Sequence, residues 1–281
     1  MLSAISAEAA KLLRHRATWF LVWIYPIGIT IVFFLAAGEA FFSPDPPKPA
    51  LAASKWIEQT TIVWLVPAFA TVMIGAYAAL VFAGEYSWNT WKLVVPHQAR
   101  WKLIAAKYVT LFGLLFLAFM LTAVLTTFYT WAENKVDGQP ISDAVTMKAL
   151  VEAHWLQALA ALAPLLWTLA YTSLAAVLTR SMLAALTISL VIDGVEGIFG
   201  QVAGELSKYA PNLVIPLYQA LPGYHLNNLE NWIVEGAALQ RKFPNGTIME
   251  LPWTSSLAVA AAWIFGIGAV TLMRFQKQDI N

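Results

Sequence analysis

The sequence predicts an all-α integral membrane protein with six transmembrane helices and both termini in the cytoplasm. Of its 281 residues, 59% are hydrophobic and only 12% are charged, whereas a soluble globular domain is about 25% charged. The 13 tryptophans suit the two water–lipid boundaries of such a protein. Because the chain has no cysteine, disulfides, thiolate metal sites and thiol nucleophiles are excluded.

The N-terminal residues 1–16 are predicted to form an amphipathic helix that lies in the membrane interface. Apolar residues such as Leu2 and Leu12 recur at helical spacing, and the charged residues Glu8 and Lys11 occupy the other side. Such a helix turns its basic side toward anionic lipid headgroups. A frayed basic tail that only sets the orientation of the protein is the alternative interpretation.

Six apolar segments are long enough to cross a bilayer core, which needs about 20 helical residues. They are residues 19–37, 57–83, 104–131, 153–178, 182–200 and 253–273. A cleaved signal peptide competes for the first segment, but the run is longer than a typical signal-peptide core and contains Pro26. Pro67 and Gly75 predict a kink or a close helix contact in the second segment. The six segments predict a single transmembrane domain over residues 1–281.

Two of the connections between these segments carry predictions of their own. Residues 41–55 include Pro44, Pro46, Pro47 and Pro49, and they are expected to form an extended external loop. Residues 201–251 form a long outer region, and the apolar stretch 214–220 within it is too short to cross the membrane. That stretch predicts short re-entrant or interfacial helices between the fifth and sixth spans.

The placement of the basic residues predicts the orientation. With both termini inside, the inner segments hold ten of the 17 lysines and arginines and only three acids. The ten are Lys11, Arg14, Arg16, Lys92, Arg100, Lys102, Lys107, Arg180, Arg274 and Lys277. This bias follows the positive-inside rule and places the N-terminus in the cytoplasm. No internal repeat is visible, which is evidence against an inverted-repeat carrier.

A short polar, basic and aromatic segment, residues 84–107, separates the second span from the third. Ser87 is predicted to cap a short helix that presents Trp88 and Trp91 on one face. Pro96 lacks an amide hydrogen, so this helix must stop before it, and a second helix is expected to start about two residues later. The sequence thus predicts two short helices bent around Pro96 along the cytoplasmic face of the membrane.

Glu85 lies where the second span emerges from the membrane. A carboxylate is costly in lipid, so Glu85 is expected to face protein or water and to pair with Arg100 or Lys107. An ordinary interfacial loop, with snorkelling basic side chains and anchoring tryptophans, is the alternative interpretation of this segment. The residue types do not separate the two, because both arrangements use them.

These residues carry a resemblance to a known family. Glu85, the run Thr90-Trp91-Lys92-Leu93, Pro96, Arg100 and Lys107 are similar to the signature between the second and third spans of ABC transporter permeases of the type-2 class. Residues 7–12 resemble the start of a bacterial subgroup linked to antibiotic, bacteriocin and drug export or self-immunity. The six-span plan fits the whole chain, which departs from the family at Asn89-Thr90, where the family often has Gly-Thr.

The resemblance implies a permease subunit that is not itself an enzyme. In such permeases the N-terminal helix and the loop of residues 84–104 dock on a separate ATP-binding subunit. The residues implied in coupling are Glu8, Lys11, Glu85, Trp88, Trp91, Pro96, Arg100 and Lys107. Two permease chains, expected to be identical, and two ATP-binding chains form the working unit in the bacterial cytoplasmic membrane, and substrate passes between the permeases. No cofactor is expected in this chain, since it lacks the phosphate loop GxxxxGK[ST], so ATP and Mg²⁺ would bind the partner subunit.

Asp193 and Glu196 are the candidates for the substrate path. Counting from Met182 at about 1.5 Å per residue puts Asp193 about 16 Å deep, near the middle of the bilayer. The i, i+3 spacing puts both acids on one helix face, and intramembrane carboxylates usually face a cavity or a partner, so cation binding or proton coupling is one hypothesis. The alternative is that the helix breaks at Gly197 or Gly200 and leaves both acids in a wet outer vestibule.

Two classes of function stay open at this point. The first is an ABC export permease. The second is a membrane anchor or sensor for an ATPase without transport, or a secondary carrier that works through Asp193 and Glu196. The four histidines lie on different segments without a zinc-binding pattern, so no metal site is predicted. The net charge of +1 gives no indication of a nucleic-acid partner.

Overall fold

The computed structural model describes residues 1–42, 49, 51–64, 68–88 and 90–279 of the chain. Its helices are α1 Leu2–Arg14, α2 Arg16–Leu21, α3 Ile24–Phe42, α4 Ala53–Thr61, α5 Ala68–Ser87, α6 Trp91–Val94, α7 Arg100–Val136, α8 Met147–Thr179, α9 Met182–Leu206, α10 Pro211–Ala220, α11 Pro222–Glu235 and α12 Trp253–Lys277. Two 3₁₀ turns, Ile62–Trp64 and Val95–His97, follow α4 and α6. A two-stranded antiparallel hairpin, β1 Arg241–Lys242 and β2 Ile248–Met249, lies between α11 and α12.

The described residues contain five helices that are long and apolar enough to cross a membrane: α5, α7, α8, α9 and α12. A shorter apolar helix, Ile24–Ala36, lies within α3. The predicted all-α membrane class is therefore confirmed, and the count of six spans stays a prediction. Seven of the fifteen residues of the predicted external loop at 41–55, namely residues 43–48 and 50, lie outside the described residues.

The first predicted span is not one continuous helix, because the chain breaks between α2 and α3. A continuous helix would need the nitrogen of Pro26 to donate to the carbonyl of Val22, but proline has no amide hydrogen and its ring clashes with that carbonyl. The amide nitrogens of Val22 and Trp23 both donate to the carbonyl oxygen of Thr18 instead, at 3.0 and 3.2 Å. Val22 is fully buried at this corner.

The second predicted span is also divided, into α4, a 3₁₀ turn and α5. Pro67, where a kink was predicted, lies outside the described residues. Gly75 lies in the unbroken part of α5, where a Cβ would be 3.8 Å from both Ser189 Cβ on α9 and Thr172 Oγ1 on α8. Gly75 therefore marks a close helix contact rather than a bend.

Helix α5 is the centre of the bundle. It packs against α7, α8 and α9, and α2 lies against it as well. Its side chains Ile74, Tyr77 and Phe82 are fully buried. By contrast, α9 and α12 leave large apolar side chains exposed, among them Val195 at 62% and Phe265 at 73%. Such surfaces suit contact with lipid chains or with another apolar protein face.

The outer region holds two short helices, α10 and α11, as the sequence predicted. Buried polar side chains fix α11 to the start of α12: His225 Nδ1 lies 3.0 Å from Ser256 Oγ, and Asn228 Nδ2 donates to the same oxygen at 2.8 Å. Asn228 also accepts the amide hydrogen of Leu239, so it holds the loop that follows α11. These bonds matter because buried polar groups without partners are costly.

The predicted helix break at Gly197 or Gly200 is wrong. Helix α9 runs without interruption from Met182 to Leu206. Glycine weakens a helix, but in an apolar environment an unpaired backbone amide or carbonyl costs more than the glycine does. The two acids Asp193 and Glu196 therefore lie on a regular helix, three residues apart.

Candidate coupling site

The connection between α5 and α7, residues 88–99, is called the elbow below. Helix α5 continues through Ser87, since the amide of Trp88 still donates to the carbonyl of Gly84 at 2.9 Å, so the predicted cap at Ser87 is wrong. The short helix α6 begins at Trp91, and Pro96 lies in the 3₁₀ turn that follows it. Helix α7 then begins at Arg100, two residues from the predicted position. The bend around Pro96 is as predicted.

The two tryptophans of the elbow do not share a face, in contrast to the prediction. Trp91 is buried and packs against Phe275 of α12, with ring centroids 4.5 Å apart, and against Tyr86 at 5.8 Å. Trp88 is half exposed, and its ring lies 5.5 Å from that of His15 at the end of α1. The difference arises because Trp88 belongs to the continuation of α5, while Trp91 starts a new helix in another direction.

Four charged side chains meet where α1, α5 and α7 converge, and they are called the ionic cluster. Glu8 and Lys11 come from α1, Glu85 from α5 and Lys107 from α7. Lys107 Nζ lies 3.0 Å from a carboxylate oxygen of each glutamate. Lys11 Nζ lies 2.8 Å from Glu8 and also pairs with Glu85. With two carboxylates and two ammonium groups, the cluster is charge-balanced.

Lys107 is the buried member of the cluster, with a side chain only 2% exposed. Its ammonium group has three donors, and all three are used: Glu8, Glu85 and the backbone carbonyl of Val81, which is 2.9 Å away. The ring of Trp91 lies 5.1 Å from the same nitrogen, within the range of a cation–π contact. A buried ammonium needs such full satisfaction, because removing a charge from water costs several kcal/mol.

Glu85 is nearly as buried as Lys107, whereas Lys11 is the most exposed member of the cluster. One oxygen of Glu85 accepts from both lysines, and the other accepts from the hydroxyl of Thr90 in the elbow. Partial burial would lower the pKa of Lys11, but the carboxylates of Glu8 and Glu85 outweigh it and raise that pKa above its ordinary value. The cluster therefore holds α1 firmly against the start of α7.

Arg100 was one of the two predicted partners of Glu85 but does not pair with it; the other, Lys107, is the partner that the structure shows. The guanidinium nitrogen Nη1 of Arg100 instead lies 3.1, 2.8 and 2.6 Å from the carbonyl oxygens of Phe275, Gln276 and Gln278, and its two hydrogens are shared among these three acceptors. These carbonyls belong to the end of α12, where backbone acceptors have no intrahelical donor. Arg100, at the start of α7 directly after the elbow, thus caps the last span.

The C-terminal tether is a feature that the sequence reasoning missed. Gln278 accepts a hydrogen bond from the hydroxyl of Tyr86 at 2.5 Å and donates to the carbonyl of Val177, at the end of α8, at 2.6 Å. The guanidinium of Arg180 lies 6.0 Å from the Tyr86 ring. The ends of α5, α8 and α12 are therefore joined beside the elbow, and no local sequence pattern indicates this.

The surface above the cluster is open. A cavity of about 290 Å³ lies between α1 and the elbow, lined in part by Glu8, Lys11, Trp88 and Gln98. Lys92, Pro96 and His97 are exposed along the elbow beside it. A flat, partly aromatic and partly basic surface with a shallow cavity is suited to contact with a protein, since aromatic and basic anchors dominate such contacts.

The acids of α9 lie far along the chain from this cluster and in a different environment. Glu196 accepts a hydrogen bond from the indole nitrogen of Trp167 at 3.0 Å. Asp193 is partly exposed, one turn away. Among the described residues no group of three or more His, Cys, Asp or Glu side chains could hold a metal ion.

The part of the chain that carries this arrangement matches the model of a known protein family. Neither the curated proteins nor the solved structures gave a match to the chain. The family model described as "ABC-2 family transporter protein" matches residues 4–196, which is more than half of the chain. The matched part contains α1, the ionic cluster and the elbow, and it ends at Glu196. The chain therefore belongs to the ABC-2 family of transporter proteins and is a membrane permease component of an ABC transporter.

Proposed function

We propose that this permease is an exporter subunit driven by a separate ATP-binding subunit that docks on α1 and the elbow. Two copies of each chain form the working unit, the permeases pair as a homodimer in the bacterial cytoplasmic membrane, and ATP and Mg²⁺ bind the partner. The observation that supports the proposal best is the ionic cluster, which fastens the amphipathic helix α1 to α5 and α7 on either side of the elbow. The two segments that such a partner would contact, α1 and the elbow, are thereby held next to each other.

The buried and exposed sides of α1 and the elbow suit different tasks. On the buried side, Trp91 packs against the ends of α5 and α12 and lies 5.1 Å from the ammonium group of Lys107 on α7. On the exposed side, Trp88, Lys92 and Pro96 are not used by the interior of the protein. A partner that moves the exposed side would therefore move the ends of these helices on the buried side, because each of them contacts the elbow.

The charge distribution supports a cytoplasmic position for the elbow. Arg100 and Tyr86 contact the end of α12, so the elbow and the C-terminal end of the chain lie at the same end of the bundle. Arg180, Arg274 and Lys277 are exposed at that end. Basic residues collect on the cytoplasmic side of membrane proteins, so this end is expected to face the ATP-binding subunit.

Docking is tested by purifying the tagged chain from membranes of its native host in a mild detergent. The eluate is labelled with a photoreactive azido-ATP, and its ATP hydrolysis is measured. We expect a second, labelled polypeptide and a hydrolytic activity that Trp88→Ala reduces at least fivefold. Trp155→Ala is the matched control, because Trp155 is exposed to a similar degree on α8, outside α1 and the elbow. A complex without a labelled polypeptide, or one that Trp88→Ala leaves intact, contradicts the proposal.

Orientation is tested separately by cysteine labelling, which is clean because the chain has no cysteine of its own. Lys92→Cys places a thiol on the elbow, and Asn245→Cys places one in the exposed turn between β1 and β2. A membrane-impermeant maleimide added to whole cells should label position 245 and reach position 92 only after permeabilisation. The opposite result would place the elbow outside the cell and remove the docking site from the ATP-binding subunit.

A further inference from the structure

A second cavity lies within the membrane-spanning part of the chain, between α8, α9 and α12. Its volume is about 590 Å³, and α10 and the start of α11 close one end of it. Its walls are formed by Trp167, Tyr171, Val195, Phe199, Leu217 and Trp263 among others. Among the described residues that line it, Glu196 is the only one with a charged side chain, and Asp193 is not part of the lining.

The carboxylate of Glu196 is only partly satisfied by the protein. Its Oε2 accepts from Trp167, while Oε1 is buried and receives no hydrogen bond of good geometry. The backbone of Gly223, in the first turn of α11, approaches the same carboxylate with a weaker polar contact. In the described part of the chain no lysine or arginine forms an ion pair with Glu196. A carboxylate in an apolar wall without a cation is costly, so a ligand that supplies the positive charge would be favoured.

The aromatic side chains beside Glu196 add to this preference. Trp167 lies edge-to-face with Tyr171 at 5.2 Å and with Trp263 at 6.0 Å between ring centroids. Trp263 is held in place, because its indole nitrogen donates to the carbonyl of Ala220 at 2.8 Å. Aromatic ring faces attract organic cations, most strongly where water is excluded. The group of rings next to a carboxylate therefore suits an organic ammonium or a similar cation.

A bare metal ion does not fit the same cavity. Hard cations need about six oxygen ligands or retained waters, and this apolar lining offers the two oxygens of Glu196 as its only carboxylate group. The remaining lining would instead bury the apolar body of a ligand, at about 25 cal/mol per Å² removed from water. The cavity also opens on the exposed side of α9, where Val191 and Val195 are 56% and 62% exposed, so a ligand could enter from lipid.

We propose that this cavity is the substrate site and that its substrate class is amphiphilic organic cations, with the cationic group against Glu196 and the aromatic rings and the apolar body along α9 and α12. The assignment of a substrate rests on the proposed function, whereas binding itself requires no ATP-binding partner. Glu196 is then a binding residue. Asp193 provides a matched comparison on the same helix.

The test is saturable binding of radiolabelled tetraphenylphosphonium to the purified full-length chain in detergent, with empty micelles subtracted. Radiolabelled tetraphenylborate, which has nearly the same shape and the opposite charge, is measured in a separate experiment, because the two ions precipitate together. We expect the phosphonium to bind saturably and Glu196→Gln, which keeps an oxygen for Trp167, to weaken binding at least tenfold. Asp193→Asn should change it less than twofold, and tetraphenylborate should bind at least tenfold more weakly than the phosphonium.

A second variant, Val195→Trp, tests the cation site even if Glu196→Gln does not fold. Val195→Trp enlarges an exposed side chain of the lining and should abolish binding by filling the cavity, with little effect on thermal stability. Equal binding of the two ions in the separate experiments, or unchanged binding of the phosphonium in Glu196→Gln and Val195→Trp, would overturn the proposal. If binding succeeds and no ATP-binding subunit associates with the chain, the cation site stands and the proposed function fails. If the complex forms and the phosphonium does not bind, only the substrate class is wrong.

Discussion

The ammonium group of Lys107 lies 3.0 Å from the carboxylate of Glu85, and their side chains are only 2% and 9% exposed. The two residues are separated by the whole elbow, so their contact closes the loop between α5 and α7. Glu8 joins them from α1, 3.0 Å from the same ammonium. The surface proposed for docking is thus built around a buried ion pair rather than around the exposed charges of the elbow.

Removing Lys107 should be much more damaging than removing Lys11. Lys107→Met leaves two buried carboxylates with only one ammonium, and breaking a buried pair in this way typically costs roughly 3–5 kcal/mol. Lys11→Met should cost less, because the Lys11 side chain is 39% exposed and water can replace it. Thermal unfolding of the purified variants in detergent, followed by tryptophan fluorescence, measures the difference.

A double variant separates pairing from packing in the same experiment. Glu85→Gln combined with Lys107→Met removes one charge of each sign, so the pair should lose less stability than the sum of the two single changes. Strict additivity of the three values would show that the contact between Glu85 and Lys107 contributes nothing.

Arg100 should act through the end of α12. Arg100→Ala removes the hydrogen bonds that Nη1 makes with its two hydrogens to three backbone carbonyls, and hydrogen bonds to charged groups contribute roughly 1.5–3 kcal/mol each. Arg100→Lys should rescue only part of the loss, because an ammonium lacks the planar fork of the guanidinium. Limited trypsin cleavage after Arg274 and Lys277 should become faster in both variants. Lys102→Ala, two residues further along α7, is the control. Equal cleavage rates in the unchanged chain and in all three variants would contradict the capping role.

Gly84 should be sensitive to a single added methyl group. A Cβ at this position would lie 2.9 Å from the ring carbon Cζ3 of Trp88, so the exposed ring must move. Gly84→Ala should therefore leave the chain folded and shift the Trp88 signal in fluorine NMR of fluorotryptophan-labelled protein, with Trp88→Phe as the assignment. Gly194→Ala, where no atom lies within 4 Å of the added Cβ, should leave that signal in place. An unmoved signal in Gly84→Ala would show that the ring does not pack there.

Glu230 should make stability depend on pH in the outer region. Burial raises the pKa of this carboxyl above its ordinary value of 4.5. The folded protein thus binds the proton more tightly than the unfolded chain, so the contribution of Glu230 is most favourable below about pH 4.5 and is lost as the pH rises through the raised pKa. Glu230→Gln should therefore raise the melting temperature at pH 8 and leave it nearly unchanged at pH 4. Glu235→Gln, exposed on the same helix, is the control; a shift of the same size there would point to net charge instead.

The sequence predicted those features of the fold that depend on local pattern. Apolar length identified α7, α8, α9 and α12, and the missing amide of Pro96 predicted the bend in the elbow. The break at Val22 follows from the same rule applied to Pro26, but the apolar run around it has no other interruption, so length alone suggested one helix. The glycines of α9 suggested a break at Gly197 or Gly200, but glycine weakens a helix by less than unpaired backbone groups cost in lipid, so α9 continues through both.

The sequence identified which residues belong to the candidate site, but it predicted fewer of the contacts among them. Pairing of Glu85 with Lys107 follows from the cost of a buried carboxylate and their nearness across one loop. The attachment of Glu8 to Lys107, across 99 residues, and of Arg100 to Gln278, across 178, has no local signal. Such contacts depend on how the helices pack, which hydrophobic periodicity does not determine.

Arg100 has a mechanical consequence for the whole subunit. Arg100 lies directly after the elbow, so a sideways displacement of the elbow is expected either to break its hydrogen bonds to the backbone of α12 or to move the end of α12 with it. The same helix carries Trp263, which lines the cavity beside Glu196. A force applied at the elbow would thereby reach that cavity through α12 alone, without passing through the intervening helices.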